Sequence, residues 1–225
     1  MNTSSLSALS PLDGRYSNQI QELTSYFSEF ALIKYRVLVE VKYLIQFSEI
    51  GLTQCPPLSV SARENLEKLC TDFNLEDAGR VKMIEKQINH DVKAVEYFLK
   101  DKLEEYGLGD WKEFVHFGLT SQDINNTAIP LSLKECWANC IEPSIVNLAR
   151  QIQEAGLLWF DQPMLARTHG QPATPTQFGK EFLVFHERLV RQLTLINQIP
   201  FMAKFGGASG GLNAHHAAFP DIDWV

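Results

Sequence analysis

Two long helical patterns are separated at residues 167–175 by the sequence Arg167-Thr168-His169-Gly170-Gln171-Pro172-Ala173-Thr174-Pro175. Pro172 and Pro175 exclude helix at their own positions and disfavour it at the preceding ones. Gly170 permits backbone conformations that a side chain would forbid. The stretch therefore predicts a kinked, non-helical connection that presents His169 between two helices.

The flanking patterns are long and amphipathic, because apolar residues recur at spacings near those of a helical bundle. The first pattern runs to about Trp159, and its apolar positions are Trp137, Ile141, Leu148, Ile152 and Ala155. The second runs from Gln177 to Ile199, with apolar positions Phe178, Phe182, Phe185, Leu189, Leu193 and Ile196. A helix of that length spans about 35 Å. Two such helices cannot bury each other's faces completely, so either an obligate oligomer or a longer polypeptide is expected.

The first half of the chain also reads as helical. We predict helices from about Asn18 to Ile50, from near Ser59, over Asn74–Ile88 and over Val92–Tyr106. The first has so wide an apolar surface that it should make contacts on more than one side. Prolines at positions 130 and 143 should kink or break the helix that contains them. The fold class predicted is all-α.

Composition and net charge limit the classes of function that the chain can have. The chain has 225 residues, a hydrophobic content of 45% and a formal net charge of −7. The hydrophobic content suffices for a sizeable core. Nucleic-acid binding is excluded, since phosphate neutralisation needs a basic face and no Lys/Arg cluster is present. An anionic small molecule would have to be attracted by a few locally placed cations.

The sequence indicates a cytoplasmic protein that does not enter a membrane. Met1 to Pro11 lacks the basic and apolar segments of a secretory signal, and charged residues interrupt the most apolar stretch, Ala31 to Ile45. The four cysteines lack the paired spacing of a zinc site, so we expect reduced thiols and no bound metal. They are Cys55, Cys70, Cys136 and Cys140.

His169 is the first candidate for catalysis. Histidine is the side chain whose ordinary pKa lies near neutrality, so one held rigidly in a turn is suited to act as a general acid or base. The alternative is a capped loop between helices with an incidental histidine.

Two predicted helix starts carry polar residues that suit an anion, because free N–H groups and the helix dipole meet there. At Asn89-His90-Asp91 we expect Asp91 to cap the helix, with His90 just before it. At the second start Thr120 or Ser121 can cap, and Asp123 follows Thr120 by three residues. Simple capping is the alternative at both.

Arg15 and Tyr16 follow an irregular opening that contains Pro11 and Asp13-Gly14. An arginine fork beside a phenol hydroxyl suits a phosphate or a carboxylate. A surface arginine packed on tyrosine is the alternative. Elsewhere Lys93 and Lys180 read as surface charges, and His116 reads either as a supporting hydrogen-bond partner or as a packed histidine.

Taken together, separated segments of the chain resemble the adenylosuccinate lyase family of the fumarase/aspartase superfamily. They are Ser10–Tyr16 (SPLDGRY), Asn89–Lys93 (NHDVK) with Thr120–Asn126 (TSQDINN), and Arg167–Pro175 (RTHGQPATP). Their order and spacing are also similar to that family, and the similarity covers the whole chain. The resemblance implies an N-terminal helical domain at 1–110, followed at 111–225 by the first part of a central long-helix bundle.

The resemblance also implies a reaction. Fumarate is eliminated from adenylosuccinate to give AMP, and from the succinylated aminoimidazole carboxamide ribotide earlier in purine biosynthesis, without a metal or an organic cofactor. His169 matches the family's general acid, with His90 supporting it. Residues that match substrate-binding positions are Arg15, Tyr16, Asn89, His90, Asp91, Thr120 and Ser121. The family implies a homotetramer whose active sites are shared between subunits.

One departure from the family is large. Its catalytic base is a serine on a mobile Gly-Ser-Ser-x-Met-Pro loop, and nothing after Gly206 matches that loop. We therefore expect the chain to correspond to the N-terminal half of such an enzyme and to be inactive by itself. The alternative from a different class is a non-catalytic helical protein that keeps the lyase scaffold for assembly only.

Overall fold

The computed structural model describes residues 7–224, which divide into two compact units. The first contains the residues up to Lys134 and those from Met202 onward, and the second is Glu135–Phe201. Helices dominate both units, so the predicted helical fold is confirmed, with the addition of one small sheet. Within residues 7–224 no helix combines the length and the apolar character that a membrane crossing requires. The domain boundary expected near residue 110 stays a prediction.

The first unit is built from short and medium helices around α2. Their bounds are α1 Thr24–Phe27, α2 Glu29–Ser48, α3 Val60–Asp72, α4 Leu75–Ile88, α5 Asp91–Glu105 and α6 Ser121–Cys136, whose last two residues belong to the second unit. A further short helix of the first unit, Asn213–Ala218, follows the second unit in the chain. Short 3-10 turns occupy Ser17–Gln19, Gln21–Leu23 and Gly109–Phe114.

The helix predicted from Asn18 begins later than expected. Ser28 has an extended backbone, with φ −76° and ψ 164°, and its side chain accepts a hydrogen bond from the N–H of Ala31 at 3.1 Å. A serine that caps one helix ends the preceding one, because its own backbone is not helical. The short α1 and the long α2 are therefore separate elements.

Helix α2 is the centre of the first unit and buries two faces, as predicted. Ile33, Val37 and Val41 lie in one apolar cluster with residues of α3, α4 and α5. Tyr35 and Val39 lie in a second cluster with Val92, Ile124 and Ala128. Each fully buried aliphatic side chain contributes about 1.5–3 kcal/mol to the stability of the fold. Since Val92 and Ile124 lie in the first turns of α5 and α6, their burial against α2 fixes where those helices start.

The second unit is a pair of long helices joined by a hairpin. It comprises α7 Glu142–Leu158, β1 Pro163–Thr168, β2 Gln171–Gln177 and α8 Phe178–Ile196. The strands are antiparallel and pair Thr168 with Gln171 and Arg167 with Pro172, with a register shift between Leu165 and Arg167. The non-helical connection predicted at residues 167–175 is confirmed, but the strands were not anticipated. Prolines are compatible with so narrow a sheet, since every strand in it is an edge strand.

The two prolines of the first long pattern occupy different positions, and a kink at either of them stays a prediction. Pro130 lies inside α6 and does not end it. The π-helical segment Trp137–Ile141 leads into Pro143, which lies at the start of α7. The wider π turn interrupts the α-helix just before Pro143, whereas α6 continues through Pro130 without such a turn.

Close contact between α7 and α8 depends on two glycines. A Cβ on Gly179 would lie 2.1 Å from the carbonyl oxygen of Gly156, and a Cβ on Gly156 would lie 2.7 Å from Leu183 Cδ2. Trp159 packs beside these residues on Phe178 and Phe182, with both ring centroids 5.4 Å from its own. The two ends of the hairpin that carries His169 are therefore held by the close packing of α7 against α8.

Candidate active site

His169 occupies the tip of the β1–β2 hairpin. It forms the two-residue turn with Gly170, and both residues have positive φ, 50° and 76°. Two positive φ angles are typical of the hairpin turn whose twist matches that of the strands. Histidine is among the few side chains enriched in this left-handed region. The turn fixes the backbone of His169 and leaves its side chain exposed. A side chain that reacts with a substrate needs both properties.

At the start of α5 the cap is His90, so the prediction that Asp91 caps this helix is wrong. His90 has the extended backbone of a cap residue, and its Nδ1 accepts the N–H of Lys93 at 3.1 Å. Asn89 ends α4 in the left-handed conformation, with φ 55°. Because Nδ1 accepts a hydrogen bond, the ring proton lies on Nε2, which makes the exposed edge of His90 a hydrogen-bond donor.

Asp91 instead pairs with Arg36, a residue that the sequence reading missed. Arg36 is buried on α2; its Nη2 donates to Asp91 Oδ2 at 2.6 Å and its Nε donates to Asn125 Oδ1 at 2.9 Å. Desolvation acts to raise the pKa of Asp91, but the N–H of Val92 and the Arg36 guanidinium outweigh it, and the pKa lies below its ordinary value. Arg36 thus connects the NHDVK and TSQDINN segments. A cation within the apolar pattern of α2 was the only signal for it.

The start of α6 is held by Asp123, which is completely buried. Its carboxylate accepts the N–H of Thr120 at 2.9 Å and the N–H groups of Gly206 and Gly207 at 3.0 Å each. Lys204 Nζ donates to Oδ1 at 2.6 Å. Desolvation opposes ionisation, but Lys204 and the backbone donors outweigh it, so the pKa of Asp123 lies below its ordinary value.

Asp123 therefore does more than the predicted capping. It attaches the glycine-rich segment that begins at Gly206 to the turn before α6. Thr120 and Ser121 are half-buried beside it, at the end of the helix where backbone N–H groups point outward. Spacing within TSQD could reveal the bond to Thr120, whereas the bonds to residues more than eighty positions away could not be read from any local pattern.

Arg15 and Tyr16 are both exposed, and the Arg15 guanidinium lies over the Tyr16 ring, 5.3 Å from its centroid. The N–H of Tyr16 donates to the carbonyl of Pro11 at 2.9 Å, which fixes the turn. The packed pair considered from sequence is thus present, and a role in binding an anion stays a prediction.

The remaining charged candidates have partners. Lys93 Nζ lies 2.7 Å from Glu96, Lys180 Nζ lies 2.7 Å from Glu181, and His116 Nδ1 lies 2.5 Å from Glu40. His116 is half-buried, with a positive φ of 59°. Reading His116 as part of a polar network is therefore closer to the structure than reading it as a histidine packed among apolar groups.

The predicted site residues fall on both units. In the first, Arg36 and Asn125 join Asp91 to α6, which begins at Ser121 beside Thr120. His169 lies in the second unit. Its assembly with the residues of the first unit stays a prediction.

Residues 14–223 match the profile of a protein family described as "Lyase", and the chain belongs to this family. Among curated relatives, the adenylosuccinate lyase of Dictyostelium discoideum is 50% identical over 228 residues, covering 98% of this chain and 48% of the relative. The adenylosuccinate lyase of Legionella pneumophila strain Corby is 46% identical, covering 100% and 50%. The chain thus spans about half the length of the curated relatives it matches.

Solved structures share the fold. A fumarate lyase from Mesorhizobium sp. BNC1 superposes with a TM-score of 0.69 at 22% identity, covering 88% of this chain and 44% of that one. The 3-carboxy-cis,cis-muconate lactonizing enzyme from Pseudomonas putida gives 0.68 at 24% identity, with the same coverage. At such identities the likeness concerns the fold alone.

Proposed function

We propose that this chain provides the acid half of an adenylosuccinate lyase active site. The substrate would be adenylosuccinate, and also the succinylated aminoimidazole carboxamide ribotide, from which a β-elimination releases fumarate. The observation that carries the proposal is His169, exposed at the tip of a two-residue turn, in a chain that is 46–50% identical to relatives of that name. We further propose that the protein acts in the cytoplasm as a homotetramer.

The reaction breaks the bond between the nitrogen and the succinyl Cα, which is the carbon next to Cβ. A base removes the Cβ proton, the electron pair forms the double bond of fumarate, and an acid protonates the departing nitrogen. His169, in its imidazolium form, would be that acid. General acid catalysis of this kind contributes about a hundredfold to ten-thousandfold.

The first unit would hold the anionic groups of the substrate. The exposed Nε2–H of His90 is a donor suited to a carboxylate, and the start of α6 offers the backbone N–H of Ser121 beside the hydroxyl groups of Thr120 and Ser121. Arg15 and Tyr16 would contact the phosphate. Asn89 and Asp91 would orient the first turn of α5, since Asp91 is held by Arg36.

The base would come from the serine loop that the resemblance assigns to the second half of such enzymes. A reconstitution experiment follows from this division. The chain is combined with the C-terminal half of the Dictyostelium discoideum relative, and adenylosuccinate cleavage is followed by absorbance. We expect turnover by the mixture and none by either polypeptide alone. Cleavage that fails in every mixture, although the two halves form a complex, would count against the proposal.

The non-catalytic alternative is favoured by one observation, the apolar surface of α7 and α8. Leu157, Leu158, Phe185 and Leu195 are each more than half exposed. An assembly protein would form oligomers through this surface without binding nucleotide. Calorimetry with adenylosuccinate separates the two functions, because only the lyase proposal expects the isolated chain to bind it.

A further inference from the structure

A cluster of four ionisable side chains lies between α2, α5 and the turn at residues 115–120. His116 Nδ1 is 2.5 Å from Glu40 Oε1, and His116 Nε2 is 3.8 Å from Glu96 Oε1. Lys93 Nζ is 2.7 Å from Glu96 Oε2. Glu40 is 1% exposed and Glu96 is 5% exposed, so both carboxylates are removed from solvent.

With both carboxylates ionised, the charges of this cluster balance when His116 is protonated. Two carboxylates then face an imidazolium and an ammonium, which gives a net charge of zero. With a neutral imidazole and both carboxylates ionised, the cluster would keep one uncompensated negative charge. Glu40 would be affected most, because its Oε2 has no hydrogen-bond partner among residues 7–224. An unpaired buried carboxylate is strongly unfavourable, so the geometry favours the imidazolium.

The electrostatic surroundings of His116 favour the same charge state. Burial acts to lower the pKa of His116, but the hydrogen bond and charge of Glu40, together with the charge of Glu96, outweigh it and raise that pKa above its ordinary value. Burial raises the pKa of Glu40, and the hydrogen bond and charge of His116 act in the opposite direction. Besides Lys93, these are the charged groups that face His116 from the helices packed against it.

The cluster also fixes the backbone conformation of the turn at residues 115–120. His116 has a positive φ of 59°, an uncommon conformation for a residue with a side chain, and its carbonyl accepts the N–H of Leu119 at 3.2 Å. One ring nitrogen is bonded to α2 while the other faces α5. The turn that leads into Thr120 and Ser121 is thereby tied to the first turns of α5, where Lys93 donates its N–H to His90.

We propose that Glu40 is a positioning residue, which holds His116 as an imidazolium and so fixes the turn before Thr120 and Ser121 against the start of α5. The effect on Thr120 and Ser121 as substrate-binding residues rests on the proposed lyase function. The bond between Glu40 and a protonated His116 does not depend on that function.

The first test is a titration of His116 by nuclear magnetic resonance. Ring signals of the ¹⁵N-labelled chain are followed between about pH 5.5 and about pH 9.5, and His116 is assigned by its absence in His116→Gln. In Glu40→Gln we expect its midpoint to fall by about one pH unit or more, because a facing carboxylate has been neutralised. The matched control is Glu67→Gln, which removes an exposed carboxylate paired with Lys42 and should leave the midpoint unchanged.

An equal His116 midpoint in Glu40→Gln and in the unmodified chain would overturn the proposal. If Glu40→Gln does not fold, Glu40→Asp takes its place. Its carboxylate is withdrawn from Nδ1 by one methylene group, so the midpoint should fall by a smaller amount. An unchanged midpoint in Glu40→Asp overturns the proposal equally.

Positioning is tested by hydrogen exchange at the Thr120 amide, which donates to Asp123. We expect exchange about tenfold faster in Glu40→Gln and unchanged in Glu67→Gln, since a turn released from α5 opens more often. Equal exchange rates would refute the positioning role even if the midpoint moves.

Binding of adenylosuccinate is measured separately by calorimetry. Affinity should weaken about tenfold in Glu40→Gln, and its pH dependence should shift down with the His116 midpoint. If the unmodified chain binds no adenylosuccinate, the proposed function fails, while titration and exchange still decide the role of Glu40. If it binds and Glu40→Gln binds equally well, the role of Glu40 in substrate binding fails alone.

Discussion

At the scale of single residues, buried charges account for the geometry of the first unit. Arg36, Glu40 and Asp123 are each at most 5% exposed, and each is bonded to a segment distant in sequence. A buried charge requires partners, and removing one partner costs more than the pair contributes. These residues therefore fix where the turns before α5 and α6 lie, and their loss should be visible in stability.

Replacing Asp123 with Asn should lower the free energy of unfolding by about 3 kcal/mol at neutral pH. Whichever way the amide is turned, its NH₂ group would face donors, either the N–H groups of Thr120 and Gly207 or those of Gly206 and Lys204. Urea denaturation at about pH 7 measures the difference, with Asp101→Asn, an exposed carboxylate on α5, as the control.

The difference in stability between the unmodified chain and Asp123→Asn should also depend on pH. Because the folded pKa of Asp123 lies below its ordinary value, the carboxylate contributes stability that is fully present above the unfolded pKa of about 3.9. That contribution is lost as the pH falls below this value through the folded pKa. The stability difference between the unmodified chain and Asp123→Asn should therefore shrink towards about pH 3. A difference that is constant from about pH 7 to about pH 3 would contradict the assignment.

At the scale of elements, periodicity predicted the helices and missed the hairpin for physical reasons. Apolar repeats and capping residues such as Ser59 and Asn74 mark helix starts, and the structure confirms those starts. Two short exposed strands bury little on either face, so they leave no alternating apolar pattern. The bonds of Asp123 to Gly206 and Gly207 depend on tertiary folding, which no local pattern records.

The turn before α6 contains a glycine that should not tolerate alanine. Gly118 has φ +70°, and a Cβ there would lie 2.5 Å from Cε1 of the buried His215, whose Nε2 is bonded to Tyr43. Gly107 also has φ +70° but would place its Cβ in open space. Gly107→Ala should therefore cost about 1–2 kcal/mol through backbone strain alone. Gly118→Ala should cost about 1–3 kcal/mol more through overpacking.

Chemical denaturation of both variants measures this difference directly. Equal destabilisation would mean that His215 moves aside without cost, and that the contact with Gly118 does not hold the turn. In that case the positive φ that both glycines share, rather than the packing, would account for the loss of stability in both variants.

At the scale of the whole molecule, the second unit exposes large apolar side chains on α7 and α8. Sequence reasoning anticipated this, because α7 and α8 cannot cover each other's faces. Which partner covers the exposed side chains could not be predicted from one chain, since symmetry and partner surfaces leave no periodic signal. Exposed apolar patches of this kind mark sites of association.

Phe185→Glu should reduce self-association of the chain, because the 61% exposed ring lies on this apolar surface of α8. Gln192→Glu places the same charge at an exposed polar position of the helix and serves as the control. Light scattering after gel filtration reports the mass of each. We expect a smaller assembly for Phe185→Glu only. An unchanged mass would show that association, if present, uses another surface.

The central claim is that His169 is the general acid, and the most direct test is the turnover number of the reconstituted enzyme. His169→Asn removes the acid but keeps a residue that tolerates the left-handed backbone of the turn, so the hairpin should remain folded. We expect kcat for adenylosuccinate cleavage to fall about a hundredfold or more, with the melting temperature unchanged. A kcat within about threefold of the unmodified protein, below the range of general acid catalysis, would contradict the account.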